Sequence, residues 1–454
     1  MISFDNIDKY DRWYALYMNY LNIAHNYIYY RHFYVVNPEN IPPKGEPTIV
    51  IANHQNGLMD ALAILHTLSR DHRQPVFIAR GDLYKKNWLA RILRFLKILP
   101  TFRTRDGDRS DIRSNIAIYE RAARVLKNGG TIVIFPEATH QRGHFMNTFK
   151  KGFCRIAFSA EEINDFHLGL KVLPLNIHYS NYFNFQSDLM VTAGKPFTFE
   201  ELFDLYKEHP NDAYLALNEK ARARVKELTP DIDIPEFYNE IEALTHMMSE
   251  PLLKHKKLNP NYLPNQKDAA MTIIANLRQY KEEDEPAFNN LMLQTREYIS
   301  LMKTRGLHHW VVNRKLSIFR LVLRSLLMLL SLPLFIFGYV NNFIPTAITK
   351  LITNRVKDPM FHSSVQYTLG SMAMFPIYYI ILLTVVWLIS KHFWIAIAYV
   401  LLSAITAFFV HYYKIAFRKL LTVIQAMRLR HTADYRKLSS LNKIIVGTME
   451  GLVY

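Results

Sequence analysis

The sequence predicts an α/β domain, then a helical segment, then a C-terminal transmembrane helical region. Three observations carry that prediction. Short β-branched runs alternate with helix-forming stretches from residue 48 to residue 178. Residues 206–310 turn polar, charged and helix-forming, and offer no motif to which chemistry can be assigned. Two later stretches, 371–390 and 393–411, each match the ~20 apolar residues that span a bilayer. Half of the 454 residues are hydrophobic and 13% are aromatic, which is high for a soluble chain and points to membrane contact. The formal charge of +16 fits nucleic acid or an anionic membrane surface with anionic substrates. The basic residues interleave with apolar helices rather than forming a polar arm, which favours the membrane. Cys154 is the only cysteine, so no intrachain disulfide forms, and it reads as a buried small hydrophobe. The opening residues, MISFDNIDKYDRW, lack a charged stretch followed by an apolar core, so no cleaved signal peptide is expected.

Residues 1–34 centre on a helix at 12–31, dense in Tyr with Trp and Met. Amphipathic aromatics favour the membrane interface, and the helix is read as interfacial, although a core-packing helix has much the same composition. The loop NPENIPPKGEP leads into a strand at 48–53 and a helix at 58–69. A second strand, PVFIAR, ends at Arg80. In residues 85–98, Trp88, Leu89, Ile92, Leu93, Phe95 and Leu96 stand among Lys85, Lys86, Arg91, Arg94 and Lys97. That is the make-up of an in-plane membrane helix, or of a core-facing helix with a solvated basic face. LPTFRTRDGDR then leads to a helix at 110–127 that stops at Asn128-Gly129-Gly130. A strand at 131–135, the FPEATH loop, a helix near 150–163 and a strand at 171–178 complete a domain taken as 35–205.

Residues 311–454 read as the membrane region. Only Lys391-His392 separates its two apolar stretches, so they form a tight hairpin, followed by a basic tail. An earlier apolar stretch, 326–344, is interrupted by Pro333, Gly338 and Asn341-Asn342. Basic clusters at Arg314, Lys315, Arg320 and Arg324, at Lys350, Arg355 and Lys357, and from Lys414 to Arg430 flank these elements. If 326–344 spans, one basic region is forced outside. If it dips in and returns, all of them stay cytoplasmic. The positive-inside rule therefore favours a re-entrant or interfacial element plus one spanning hairpin.

The first strand runs out into Asn53, His54, Asn56 and Asp60, and the third into Glu137, Thr139 and His140. Ligands in α/β sheets sit outside the carboxyl ends of strands, so chemistry is expected at these clusters. His54 and Asp60 suggest a base and its orienter. Activating a hydroxyl near neutral pH needs a proton acceptor with a matching pKa, and a carboxylate on the other ring nitrogen fixes the tautomer. A regular helix does not put residues at this spacing on one face, so the pair needs an irregular turn, which Gly57 can supply. On its own the pair also fits a structural role.

NHQNGLMD, a basic LPTFRTR, FPEATH, KKGF and VLPLNI follow one another in an order that resembles the glycerophospholipid acyltransferase family. These are the membrane enzymes that acylate glycerol-3-phosphate and lysophosphatidate, and the resemblance covers roughly residues 35–200. It implies an acyltransferase-type mixed β-sheet flanked by helices. It also implies that His54 is the general base, that Asp60 orients it, and that Glu137 helps to bind the glycerol-phosphate acceptor. The family's second motif, G-x-x-F-I-x-R, is matched at Phe102 and Arg105 but lacks its glycine; Arg103 and Arg105 both stand as the phosphate contact. Lys151 adds charge to the same site, and Arg142 is a further candidate.

The spacing here is H-x5-D rather than the family's usual H-x4-D, and Ala138 replaces the glycine of FPEG. The longer form looks like the subgroup related to fungal glycerol-3-phosphate/dihydroxyacetone-phosphate acyltransferases, which tilts the expected acceptor to glycerol-3-phosphate. The expected reaction moves a fatty acyl group from acyl-CoA or acyl-ACP to the sn-1 hydroxyl in phosphatidic acid biosynthesis, with no metal or other cofactor. The alternatives are lysophosphatidate or another lipid alcohol as acceptor and, more distantly, a non-catalytic basic membrane-binding protein. No nucleic-acid module is recognisable, so no specific nucleic-acid partner is expected. The expected location is an integral membrane protein with a cytoplasmic catalytic domain, in the plasma membrane if bacterial and the endoplasmic reticulum if eukaryotic.

Overall fold

Among the described residues seven short runs pair into one sheet: β1 (His32–Val36), β2 (Thr48–Ala52), β3 (Val76–Arg80), β4 (Ile98–Thr101), β5 (Thr131–Ile134), β6 (Lys171–Tyr179) and β7 (Asp188–Ala193). Their order across the sheet is β1-β7-β6-β2-β5-β3-β4. The computed structural model describes residues 6–81, 84, 86–101, 109–137, 143–312 and 317–454. By its internal contacts the chain divides into two units, Met1–Asp231 with Val356–Tyr367, and Ile232–Arg355 with Thr368–Tyr454.

In the first unit β2 is central, with β5 and β6 parallel to it on either side. Every residue of TIVIA is buried, as a strand covered on both faces requires. Truncating Ile49 or Ile51 to alanine, both fully buried, would cost roughly 2–5 kcal/mol. β6 and β7 are antiparallel, so the sheet is mixed. Three strands were not predicted. β1 and β4 lie at the two edges of the sheet, and β7 is wholly buried beside β1, without the polar alternation that marks a one-sided strand.

The helices of this unit begin with α1 (Arg12–Ile23), capped by Asp11, whose Oδ1 accepts from the Trp13 and Tyr14 amides. Its buried face is Tyr14, Met18 and Leu21, while Trp13, Leu16, Tyr20 and Ile23 are exposed. After it come α2 (Leu58–Leu68), α3 (Asn87–Phe95), α4 (Arg109–Lys127) and α5 (Gly152–Ile163). α3 packs Phe95 edge-on against Tyr14 and leaves Trp88 and Ile92 exposed. The stop expected after α4 falls at Gly129, which has φ +71° and where a Cβ would lie 2.3 Å from the Gly45 carbonyl oxygen. Only glycine fits there.

In the second unit, helices Tyr238–His255, Leu263–Glu283, Glu285–Thr304 and Ala433–Val453 pack around Leu244, Met248, Ile273, Phe288, Leu438 and Ile445. Among the described residues two helices are long and apolar enough to cross a membrane, Phe393–Leu429 and Pro359–Ser390, the latter counted with this unit from Thr368 onward. Between them Lys391 takes a left-handed conformation and turns the chain. The helices Ile318–Leu330 and Leu332–Asn341 meet at a 49° bend, as a broken span or a re-entrant loop does. Gly338 lets Leu332–Asn341 approach Phe393–Leu429 closely, since a Cβ there would lie 2.7 Å from the Thr406 Cβ. Asn342 donates to the Gly338 and Ser403 carbonyls and accepts from the Tyr379 hydroxyl, while Asn341 accepts from Tyr399.

Candidate active site

Because β6, β2 and β5 are adjacent and parallel, their carboxyl ends deliver three loops to one edge of the sheet. β2 leads into His54, β5 into Phe135 and Glu137, and β6 ends at Tyr179.

The His54–Asp60 spacing is resolved by a fold-back rather than by one helix face. α2 starts at Leu58, so Asp60 sits in its first turn, where the helix dipole favours a carboxylate. From there Asp60 Oδ2 accepts the Gln55 and Asn56 amides, both at 2.7 Å, and so curls the loop back over the helix end. Gly57, with φ +50° and ψ −124°, supplies the bend. The curl brings His54 Nδ1 to 2.8 Å from the same oxygen. Asp60 Oδ1 accepts the Tyr179 hydroxyl at 2.6 Å. Asp60 is fully buried, and four donors meet its two oxygens, as a carboxylate cut off from water requires.

Donating its Nδ1 proton to Asp60 leaves His54 with Nε2 as its proton-accepting nitrogen. The ring is stacked on Phe135, with centroids 4.4 Å apart and 20° between planes, and its side chain is 19% exposed. Asp60 thus fixes the orientation of the imidazole, the arrangement a base and its orienter require.

Glu137 joins two loops. Its Oε1 accepts the His54 amide at 3.3 Å and its Oε2 accepts Asn147 Nδ2 at 3.0 Å. Burial pushes its carboxyl up to about 7, against the opposing pull of the hydrogen bonds from Asn147 and His54. The loop beyond is stitched back to β5 by the Lys150 amide, which donates to the Pro136 carbonyl. Lys151 immediately precedes α5, whose N-terminus has no side-chain cap. Arg103, Arg105 and Arg142 lie outside the described residues. Among the described residues no group of three or more His, Cys, Asp or Glu is placed to hold a metal ion.

Sequence reasoning did not single out Tyr179 or Phe135. Phe135 was legible as the residue before Pro136-Glu137; Tyr179 carried no local signal, since its role comes from the neighbouring strand. Asn53 was noted and proves to be a tie, donating to and accepting from the Ile177 backbone so that β2 and β6 end in register.

A family model described as Acyltransferase matches residues 32–178. Over 128 residues the chain is 29% identical to a probable 1-acyl-sn-glycerol-3-phosphate acyltransferase of Mycoplasma pneumoniae, covering 28% of this chain and 44% of that one. Over 160 residues it is 28% identical to a 1-acyl-sn-glycerol-3-phosphate acyltransferase of Borreliella burgdorferi, covering 35% and 56%. The solved structure of the 1-acyl-sn-glycerophosphate acyltransferase of Thermotoga maritima is 23% identical, with 46% of this chain and 81% of that one covered at a TM-score of 0.29. The chain spans about half the length of the curated relatives it matches.

Proposed function

We propose, for a chain whose α/β domain is of the glycerophospholipid acyltransferase family, that it transfers a fatty acyl group from an acyl thioester to the hydroxyl of lysophosphatidate at a membrane. The observation that carries this reading is the His54–Asp60 pair, held at the carboxyl edge of the sheet with the imidazole partly open to the outside. The relatives are named for 1-acylglycerol-3-phosphate as acceptor, and this moves lysophosphatidate ahead of the glycerol-3-phosphate expected from the H-x5-D spacing. Glycerol-3-phosphate is the second reading, favoured by that spacing alone.

In this mechanism His54 Nε2 takes the proton of the acceptor hydroxyl as its oxygen attacks the thioester carbonyl carbon. Asp60 holds the imidazolium that forms. The tetrahedral oxyanion collapses, the carbon–sulfur bond breaks, and the leaving thiolate takes the proton back from His54. An ester and a free thiol are the products, with no cofactor in the cycle. Phe135 and Tyr179 keep the pair aligned. Glu137 braces the His54 loop in addition to the acceptor contact implied by the resemblance. Arg103, Arg105, Arg142, Lys151 and the uncapped start of α5 are the groups of the right charge to meet the acceptor phosphate.

The test is acyl transfer by the purified full chain in lipid. Labelled acyl-CoA, and separately acyl-ACP, is offered with lysophosphatidate or glycerol-3-phosphate, with His54→Ala as the control. Labelled phosphatidate from lysophosphatidate, absent in the variant, is the expected result. Product from glycerol-3-phosphate alone would restore the second reading. No transfer with any pair would overturn the acyltransferase reading for these acceptors.

A further inference from the structure

The first unit is not continuous in sequence. Val356–Tyr367, which lies between the bent helix pair and the apolar hairpin, counts with the α/β unit and not with its chain neighbours. The segment has its own internal order, with Asp358 capping the turn Pro359–Phe361 and His362 Nε2 at 3.0 Å from the Val356 carbonyl. Met360, Ser363, Ser364 and Tyr367 are buried. At its far end the Tyr367 hydroxyl donates to the Leu21 carbonyl at 2.9 Å, and Tyr29 donates to Gln366.

Its middle lies against the catalytic loop. A Cβ built on Gly57 would be 3.3 Å from the Phe361 ring and 3.4 Å from Ser364 Oγ, so these side chains close over the bend. Ser363 Oγ donates to the Tyr182 carbonyl at 2.5 Å, and Asn56 Nδ2 donates to that same oxygen at 2.9 Å. Asn56 is one of the two residues whose amides curl onto Asp60. The route from segment to chemistry is therefore short: Phe361 and Ser364 on Gly57, Ser363 and Asn56 on one carbonyl, Asn56 on Asp60, and Asp60 on His54.

We propose that Phe361 and Ser363 are positioning residues for the reaction, and that Val356–Tyr367 is a strap that fixes the Asn56-Gly57 bend and through it the Asp60–His54 geometry. Gly57 has no side chain of its own to hold the bend, and glycine is the residue with the greatest backbone freedom. A displacement of roughly 0.5 Å at the bend is enough to weaken the Asn56 amide's hydrogen bond to Asp60 and with it the hold on the imidazole. This role presupposes His54 and Asp60 as the reacting pair.

The experiment uses the full chain in lipid with Phe361→Ala, Ser363→Ala, the conservative Phe361→Leu and Ser363→Thr, and Lys357→Ala as a control at an exposed position of the same segment. Turnover and amide exchange are read together. In the two alanine variants kcat falls about tenfold to a hundredfold with KM for both substrates nearly unchanged. The amides of Gln55 and Asn56 exchange about tenfold faster, while those of 48–52 and 131–134 keep their wild-type rates. The conservative variants recover most of both. Unchanged exchange at Gln55 and Asn56 overturns the proposal, and so does faster exchange that extends into the two central strands, which is general destabilisation. If the wild-type chain transfers no acyl group, the reading of the reaction fails, and the exchange rates still decide whether the strap holds the loop.

Discussion

The two units bury polar side chains to opposite ends. In the second, the asparagines at the end of Leu332–Asn341 are closed off: Asn342 is shared among Gly338, Ser403 and Tyr379, and Asn341 is met by Tyr399. In the first, the network around Asp60 draws in Tyr179, Gln55, Asn56 and His54, and ends at an imidazole that is partly exposed. A closed network among apolar helices fixes which helices pack together. A network that ends at a partly exposed imidazole holds that ring in orientation at the surface, as the proposed reaction requires. The difference lies in where the chain of hydrogen bonds stops rather than in the residue types.

The largest break in this contrast is expected at the open end. His54→Ala should lower kcat about 10⁴-fold, and Asp60→Asn about 10²- to 10⁴-fold because it offers His54 the wrong tautomer partner, each with little change in Tm. Steady-state kinetics beside thermal unfolding checks both; a Tm collapse that tracks the lost rate would make the pair structural.

The next effect comes from Glu137. Its folded pKa of about 7 lies above the 4.5 of an unperturbed carboxyl. Between those values the folded state holds a proton that the unfolded state has released, so stability falls as pH rises through the window, by at most on the order of 3 kcal/mol. Glu137→Gln should flatten that slope, and Tm measured for both proteins from about pH 5 to about pH 7.5 tests it. Parallel curves would show that the carboxyl is not held protonated.

The smallest effect sharpens the other side. Asn342→Leu should weaken the helix contacts of the second unit by about 1 kcal/mol, read by denaturation in detergent, with turnover per folded molecule at the wild-type level. Loss of turnover without loss of folding would mean that the polar pairs of this unit do more than hold helices.

Much of the α/β unit was legible because its inner strands are contiguous β-branched runs and its helices carry clear stops, as at Asn128-Gly129. The need for a bend at Gly57 was also legible, since the His54–Asp60 spacing fits no regular helix. Tyr179 was not, because it acts from a strand 119 residues away from Asp60 in sequence. β4 read as part of a basic motif because its four residues, ILPT, are too few to show a period.

By itself the sequence determined the α/β alternation, the apolar hairpin and the residue types of the site, because periodicity, apolar length and side-chain chemistry are local properties. The tertiary structure decided the strand order that puts Tyr179, His54 and Glu137 on one edge, and the donors that gather on Asp60. It also decided that Val356–Tyr367 packs against the Asn56-Gly57 bend. Those are pairings between distant segments, selected by which buried polar groups can satisfy one another, and no window along the chain contains both partners.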